Sequence, residues 1–307
     1  MSTNMSTNMS TNMSTNMSTN VIIPAGSSLY GSFQKMVAQR DAVFFAGLPG
    51  VGKSLLLQQL ALMAHERGRV VDLLQWDVTR AAFETPDILA RYPEIDGVTH
   101  AGIRKAVGLW ARDGVREWQE QHASRDGQQM LIGEVPLIGN RLIELVQKRE
   151  DGAEAFLASP QTLFVIPVPS RAVRQTIEAA RERTIAEPQN ERESADAPPN
   201  VLRALWQDIY HLAHTLGIAE QATQQSAPYN PDLYAAVYQH LLQHRQVETL
   251  LIDTILPKSG SVYDLHIIAS ELAATPNDVQ RIMAQLETQY AAQQEELERE
   301  VAQWYQL

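Results

Sequence analysis

Residues 42–63, AVFFAGLPGVGKSLLLQQLALM, decide the fold. The apolar and aromatic run Ala42–Ala46 stops at a glycine, as a buried strand should. From Lys53 to about Arg67, apolar residues recur at helical spacing, and Gly68 ends that pattern. The sequence therefore predicts a strand, a glycine loop and a helix in direct succession.

The loop between this strand and this helix has glycines, a lysine and a hydroxyl at the spacing of a P-loop. The glycines allow a tight turn in which successive N–H groups point at phosphate oxygens, and the helix N-terminus adds partial positive charge. We expect Lys53 to reach the β- and γ-phosphates and Ser54 to bind Mg²⁺. The predicted site for ATP or GTP is Gly47, Leu48, Pro49, Gly50, Val51, Gly52, Lys53 and Ser54.

Composition excludes several other classes of protein. The net charge of -11 argues against an extensive nucleic-acid surface, and the absence of cysteine excludes disulfides and thiolate chemistry. No stretch reaches the ~18 apolar residues that a membrane span needs, and the N-terminus does not read as a secretory signal. We therefore predict a cytoplasmic protein with no membrane partner. Residues 1–20 are five copies of Met-Ser-Thr-Asn, which predicts a disordered tail.

Short apolar runs alternate with helical patterns along the rest of the chain, which predicts a parallel sheet covered on both faces. The other strand candidates are Val70–Trp76, Gln129–Gly133, Thr162–Val168 and Thr249–Ile255. The helix candidates are 28–39, 103–121, 139–148, 170–184, 201–216 and 231–243, and the charged, proline-containing segment 185–200 is predicted to be a mobile surface loop. The expected fold is an α/β P-loop NTPase three-layer sandwich with a five-stranded parallel sheet and a central P-loop strand.

This domain is expected to cover residues 21–260, and residues 261–307 are expected to form a helical C-terminal extension without a strand. A long helix after Thr275 places apolar residues near one face. That face could bind a partner protein or a second copy of the chain. The alternative is that it packs on its own domain.

Two carboxylates follow predicted strands, at the sheet edge where ligands bind in such folds. Asp77 comes directly after the second strand, and the segment Asp77-Val78-Thr79-Arg80 resembles P-loop kinases that phosphorylate a hydroxyl group, among them polynucleotide kinase and the zeta-toxin group. The resemblance implies that Asp77 takes the proton of the acceptor and that Arg80 holds an acidic group of the acceptor. The alternative for Asp77 is a helix cap or turn residue.

Glu134 follows the third strand and is a Walker-B-like candidate that would hold Mg²⁺ through water. Nucleotide kinases commonly place an acid, a proline and an arginine close together here, which makes Arg141 a candidate substrate-binding residue. The helix after the fourth strand is similar to the lid of small-molecule kinases, so Arg181 and Arg183 are candidate catalytic residues that stabilise the transferring phosphate. For these arginines the alternative is a solvated helix face.

These residues together favour an ATP-dependent phosphotransferase acting on a hydroxyl or phosphate of a small molecule or nucleotide. A Ras-like GTPase is disfavoured because the sequence has no Asn/Thr-Lys-x-Asp motif on a late strand. The open alternative is a non-kinase P-loop ATPase that couples hydrolysis to a partner protein through the C-terminal helix.

Overall fold

The computed structural model describes residues 21–95, 97–123, 127–194, 196–220, 226–257, 260–265, 267–290 and 294–307. They form an α/β fold with one parallel sheet of six strands, in the order β5-β4-β1-β3-β2-β6. The strands are β1 (Ala42–Ala46), β2 (Val70–Gln75), β3 (Gln129–Val135), β4 (Thr162–Pro169), β5 (Val247–Ile252) and β6 (Ala269–Glu271). The predicted tail at residues 1–20 lies outside the described residues.

Helices connect these strands and cover both faces of the sheet. They are α1 (Ser28–Gln39), α2 (Lys53–Glu66), α3 (Trp76–Phe83), α4 (Pro86–Arg91), α5 (Ala101–His122), α6 (Glu154–Leu157), α7 (Arg171–Ala186), α8 (Glu191–Ser194), α9 (Pro199–Thr215), α10 (Pro231–Leu241), α11 (Pro276–Tyr290) and α12 (Gln294–Ala302). In the described part of the chain, no helix is long and apolar enough to span a membrane.

The central strand β1 shows why the sheet needs two helical layers. All five of its residues are buried, and successive side chains point to opposite faces. Val43 and Phe45 pack with α1 and α2, whereas Ala42, Phe44 and Ala46 belong to the core with α5, α9 and α10. The continuous apolar run therefore reflects burial on both faces, as is typical of parallel sheets.

All five predicted strands are present, each within a few residues of its expected bounds. The prediction of a five-stranded sheet is nevertheless wrong, because β6 pairs with the far edge of β2. The segment after residue 261 is thus not purely helical. A three-residue strand is too short for alternation to show in the sequence, and its place at an edge leaves it partly exposed.

The predicted helix at 139–148 is also wrong. The structure has a loop at 136–142, followed by a single 3-10 turn, Ile143–Leu145. Three non-glycine residues of the loop have a positive φ: Leu137 at 65°, Asn140 at 62° and Leu142 at 63°. Backbone of this kind interrupts a right-handed helix. The apolar residues of this segment are almost all buried in the core. Their spacing along the sequence therefore resembles that of a buried helix.

The segment 185–200 is more ordered than predicted. It contains the end of α7, all of α8 and the start of α9. Glu193 within it is only 2% exposed. Most of the segment is exposed, but the ordered turns bury the Glu193 side chain.

The C-terminal helices α11 and α12 pack on α5. Their apolar residues Ile282, Leu286, Leu297 and Val301 are buried in the main core. Of the two interpretations of this apolar face, packing on its own domain therefore agrees with the structure.

Candidate functional site

The glycine loop between β1 and α2 leaves the N-terminus of α2 open. Gly50 and Gly52 have φ values of 74° and 90°, a region that side chains other than glycine rarely adopt. Helix α2 begins at Lys53, and its cap residue Gly52 has no side chain to accept from the first-turn N–H groups. These groups and the helix dipole therefore favour an anion at this point.

The Lys53 side chain is folded back into the loop and is 4% exposed. Its ammonium donates a hydrogen bond to the Leu48 carbonyl at 2.9 Å and lies 3.3 Å from Glu134 Oε1. Burial lowers the pKa of Lys53, and the Glu134 carboxylate opposes that shift. A buried cation held by one carbonyl and one carboxylate still has capacity to bind an anionic ligand.

Ser54 lies against the same carboxylate as Lys53. Its hydroxyl donates to Glu134 Oε2 at 3.0 Å. Strand β3 extends to Val135, so Glu134 lies within the strand rather than after it, paired in register with Phe45 of β1. The two oxygen groups fit a Mg²⁺ ion, which takes oxygen ligands from one or two side chains and completes its shell with water and phosphate.

Two buried side chains from other helices support the loop from behind. The Leu48 N–H donates to the hydroxyl of Tyr234 at 3.2 Å, and that hydroxyl lies so close to Gly47 that a Cβ there would overlap it. Arg174, 1% exposed, donates to the Pro49 carbonyl at 3.3 Å. Helices α10 and α7 thus fix the conformation of the loop.

Asp77 lies in the first turn of α3, directly after β2. Its side chain is 83% exposed and is 3.9 Å from the Arg80 guanidinium. The walls of the crevice nevertheless displace water around it, and this raises the pKa of the carboxyl against the opposing charge of Arg80. Gln75, two residues before Asp77, is paired in register with Glu134, so Asp77 lies at the same end of the sheet as the glycine loop. The charges of Glu134 and Lys53 also act on its pKa.

The two predicted substrate arginines also lie at this crevice. Arg80 donates to Glu84 at 3.0 Å and to Thr99 at 3.2 Å. Arg141 donates to the Ile138 carbonyl at 3.1 Å and lies over the Trp76 ring, 5.9 Å from its centroid. Burial lowers the pKa of Arg141, and the charge of Asp77 raises it while that of Arg80 lowers it further. Arg141 is thus in a loop beside Asp77 rather than on a helix.

The structure separates the two predicted lid arginines. Arg181 forms an ion pair with Asp196 and is close enough to the glycine loop for its charge to lower the pKa of Lys53. Arg183 is exposed, and among the described residues its side chain makes no hydrogen bond or ion pair. Only Arg181 therefore lies at the site.

Tyr263 reaches the site from the segment between β5 and β6, which sequence reasoning had assigned to the extension. Its hydroxyl donates to Asp196 at 2.7 Å, and burial followed by the nearby charge of Glu134 raises its pKa. A cavity of about 370 Å³ extends from Ser54 past this tyrosine to Gln75 and Glu271. An isolated tyrosine in a turn about 200 residues from the glycine loop has no pattern that could have indicated this position.

No protein-family model, no curated protein and no solved structure matches this chain. The geometry of the site residues therefore carries the functional interpretation.

Proposed function

We propose that this protein is a P-loop phosphotransferase that moves the γ-phosphoryl group of ATP to a hydroxyl or phosphate of a small molecule or nucleotide. The observation that carries the proposal is the convergence of Lys53, Ser54 and Glu134 with Asp77 in one crevice. The first three suit a metal-bound triphosphate, and the fourth is a carboxylate open to an acceptor.

In this proposal, phosphate is bound by the N–H groups of the glycine loop and by the Lys53 ammonium, which can exchange its present hydrogen bond for one to phosphate. The N–H groups of the glycine loop would surround the β-phosphate. The Lys53 ammonium would exchange its bond to the Leu48 carbonyl for one to the γ-phosphate. Ser54 and Glu134 would hold Mg²⁺, which neutralises the negative charge that develops on the phosphate oxygens.

The chemical step requires a base for the acceptor hydroxyl. Asp77 would accept its proton as the oxygen bonds to the γ-phosphorus and the bond from that phosphorus to the β–γ bridging oxygen breaks, releasing ADP. A carboxyl group with a raised pKa is a stronger base than an ordinary aspartate. The raised pKa of Asp77 therefore supports this role, and its exposure leaves room for an acceptor.

Arg181 would stabilise charge on the transferring phosphate, because of the two lid candidates it is the one close enough to lower the pKa of Lys53. It is bound to Asp196 in this structure, so nucleotide binding would have to compete with that ion pair. ATP and GTP are both compatible with the phosphate-binding groups. We name ATP because no base-reading motif for guanine occurs in the sequence.

The rival, an ATPase that drives a partner protein through the C-terminal helix, has less support. The apolar face that would contact such a partner is buried against α5. The water-positioning acid in that rival would be Glu134, which already contacts Lys53 and Ser54.

The proposal is tested by incubating the purified protein with γ-labelled ATP, Mg²⁺ and panels of nucleosides, nucleotides and sugars. We expect label to appear in one acceptor class. Label that appears only in free phosphate, at a rate unchanged by every acceptor, would favour the rival.

A further inference from the structure

Arg80 and Arg141 lie beside Asp77, and Arg104 lies beside Arg141. We call these three residues the arginine cluster. Arg104 is in the first turns of α5, and Arg141 is in the loop 136–142 after β3. Nothing in the sequence distinguishes Arg104 from an ordinary helix residue, because its place in the cluster depends on the loop that packs against it.

Arg104 and Arg141 flank the same point in space, next to Gly139. A Cβ atom built on Gly139 would lie 3.2 Å from Arg141 Nη1 and 3.3 Å from Arg104 Nη1. Two guanidinium groups that close repel each other unless a negative charge lies between or beside them. Burial and the charge of Arg141 accordingly lower the pKa of Arg104.

The protein supplies little negative charge to this pair. Arg104 donates to the Gly139 carbonyl at 2.5 Å, and Arg141 donates to the Ile138 carbonyl at 3.1 Å. Within the described part of the chain, neither guanidinium has a carboxylate within salt-bridge distance. This is unusual in a chain whose net charge is -11.

Hydrogen-bond donors around the cluster are also unused. Nε of Arg80, Nε of Arg104 and Nδ2 of Asn140 are buried and find no acceptor among the residues that the structure describes. Asn140 is only 2% exposed. Buried donors without acceptors are costly, and such a group in a native structure is expected to have a partner such as a ligand.

The backbone of the loop supports the same interpretation. Gly139 and Asn140 both have positive φ, at 65° and 62°. Leu137 and Leu142 of the same loop also have positive φ, at 65° and 63°. For leucine this conformation is strained, and strain of this kind concentrates at ligand-binding sites. In this loop the carbonyls of Gly139 and Ile138 accept from Arg104 and Arg141. The remaining guanidinium N–H groups are left for another acceptor.

We propose that the arginine cluster is a second anion site that binds a phosphate group of the acceptor, so that the acceptor is a phosphorylated molecule whose free hydroxyl faces Asp77. The proposal rests on the proposed phosphotransferase function for the role of the bound molecule. Arg104 and Arg141 supply the forked donors that suit phosphate, and Arg80 joins them beside Asp77.

The test uses the full chain with its glycine loop saturated by Mg²⁺ and the non-hydrolysable analogue adenosine 5′-(β,γ-imido)triphosphate. This occupies the γ-phosphate position, so that inorganic phosphate added in a calorimetric titration can report only a second site. The variants are Arg104→Gln and Arg141→Gln. The matched control is Arg299→Gln, which removes one positive charge from an exposed side chain of α12.

We expect the wild-type protein and the control to bind phosphate equally, and each cluster variant to bind it roughly tenfold more weakly or worse, since charge-assisted bonds are lost. Arg104→Lys and Arg141→Lys should also bind more weakly, because lysine keeps the charge but not the fork. A purely structural role would lower the melting temperature without changing phosphate affinity in the folded fraction. That result, or no binding to the wild-type protein, would overturn the proposal.

The same experiment separates this inference from the proposed function. Weakened phosphate binding in the cluster variants supports the second site even if no acceptor is ever labelled by ATP. Transfer of label to an acceptor that carries no anionic group, with the same efficiency in wild-type and Arg104→Gln protein, would overturn the second site and leave the phosphotransferase proposal standing.

Discussion

Arginines lie at both ends of the sheet, buried at one end and half-buried at the other, and they are paired very differently. At the amino end of β4 and β5, Arg112 and Arg245 both contact Glu154. Each guanidinium makes five hydrogen bonds, to carboxylates and to backbone carbonyls. Every nitrogen of both groups is used.

At the carboxyl end, the Arg104 and Arg141 side chains each make one hydrogen bond to the residues that the structure describes, in both cases to a backbone carbonyl. Arg104 and Arg141 are half-buried, whereas Arg112 and Arg245 are buried, but even the enclosed Nε of Arg104 has no acceptor among the described residues. A fully paired arginine stabilises the fold, whereas an arginine with spare donors and a like-charged neighbour is suited to bind an anion. The number of unused donors therefore separates structural arginines from candidate ligand-binding ones.

The largest effect on phosphoryl transfer is expected from substitution of Asp77, at the carboxyl end of the sheet. Asp77→Asn keeps the size of the side chain but cannot accept a proton, so transfer to the acceptor should fall by roughly 10²–10⁴-fold. Nucleotide affinity should hardly change, because the phosphates are bound by the glycine loop. If the protein is a hydrolytic ATPase, Glu134→Gln should be the damaging change, and a wild-type rate in Asp77→Asn would remove the assigned role.

Lys53→Ala should weaken binding of Mg²⁺–nucleotide by roughly 30–100-fold, the value of a strong charge-assisted bond. The free energy of unfolding should change little, since the variant removes a buried cation together with its desolvation cost. Calorimetric titration with a non-hydrolysable ATP analogue measures the affinity, and urea denaturation is the control. Unchanged affinity in the folded variant would contradict the phosphate site.

These two residues were accessible from sequence because both follow from a local rule. The motif at Gly47–Ser54 has fixed spacing, and Asp77 comes directly after an apolar strand. Arg104 and Tyr263 were not accessible in this way. They reach the site only through the packing of α5 against the loop 136–142 and the return of the chain to β6, which are long-range contacts without a local pattern.

The loop 136–142 shows a second limit. Its apolar residues predicted a helix at 139–148, whereas the positive φ values of Leu137, Asn140 and Leu142 depend on tertiary contacts. Asn is known to tolerate this conformation, but leucine is not, and the two leucines are fully buried. Burial in the core outweighs backbone preference here, which sequence pattern alone does not reveal.

At the fully paired end, Glu154→Gln should lower the free energy of unfolding at neutral pH by roughly 2 kcal/mol, because both arginines lose their shared carboxylate. Nucleotide affinity should be unaffected. Urea denaturation of both proteins measures the difference. If stability is unchanged, the network contributes less than its geometry indicates.

The acid sensitivity of this network is a further prediction about the wild-type protein. Burial alone would raise the pKa of Glu154, but the hydrogen bonds from Arg245 and Arg112 outweigh it and lower the pKa from 4.5 to about 2. The stabilisation is therefore complete above 4.5 and is lost as the pH falls toward about 2. The stability difference between wild-type protein and Glu154→Gln should shrink over that interval.

The pH dependence of transfer tests the opposite shift at Asp77. Partial desolvation by the surrounding protein raises the pKa of Asp77 above the ordinary value of 3.8, so the carboxylate form needed as a base is lost at a higher pH than usual. On the acid side, kcat/KM should rise about tenfold per pH unit until the carboxyl is ionised. Asp77→Asn should abolish this limb, and a limb that persists unchanged in the variant would belong to another group.

The smallest effect concerns two arginines two positions apart on α7. Arg181 lies near the glycine loop and is bound to Asp196, whereas Arg183 is exposed. Arg181→Gln should lower kcat by roughly tenfold, since one charge-assisted bond to the transferring phosphate is lost. Arg183→Gln removes the same charge from the same helix, and its kcat should stay within about twofold of wild type, as expected for an exposed surface change. Because both variants lose one positive charge from α7, a difference between their kcat values at saturating ATP reports where the charge lies and not merely that it is missing. Equal losses in the two variants would show that Arg181 acts only through the general electrostatic field, and the ion pair with Asp196 would then be structural, like the network around Glu154.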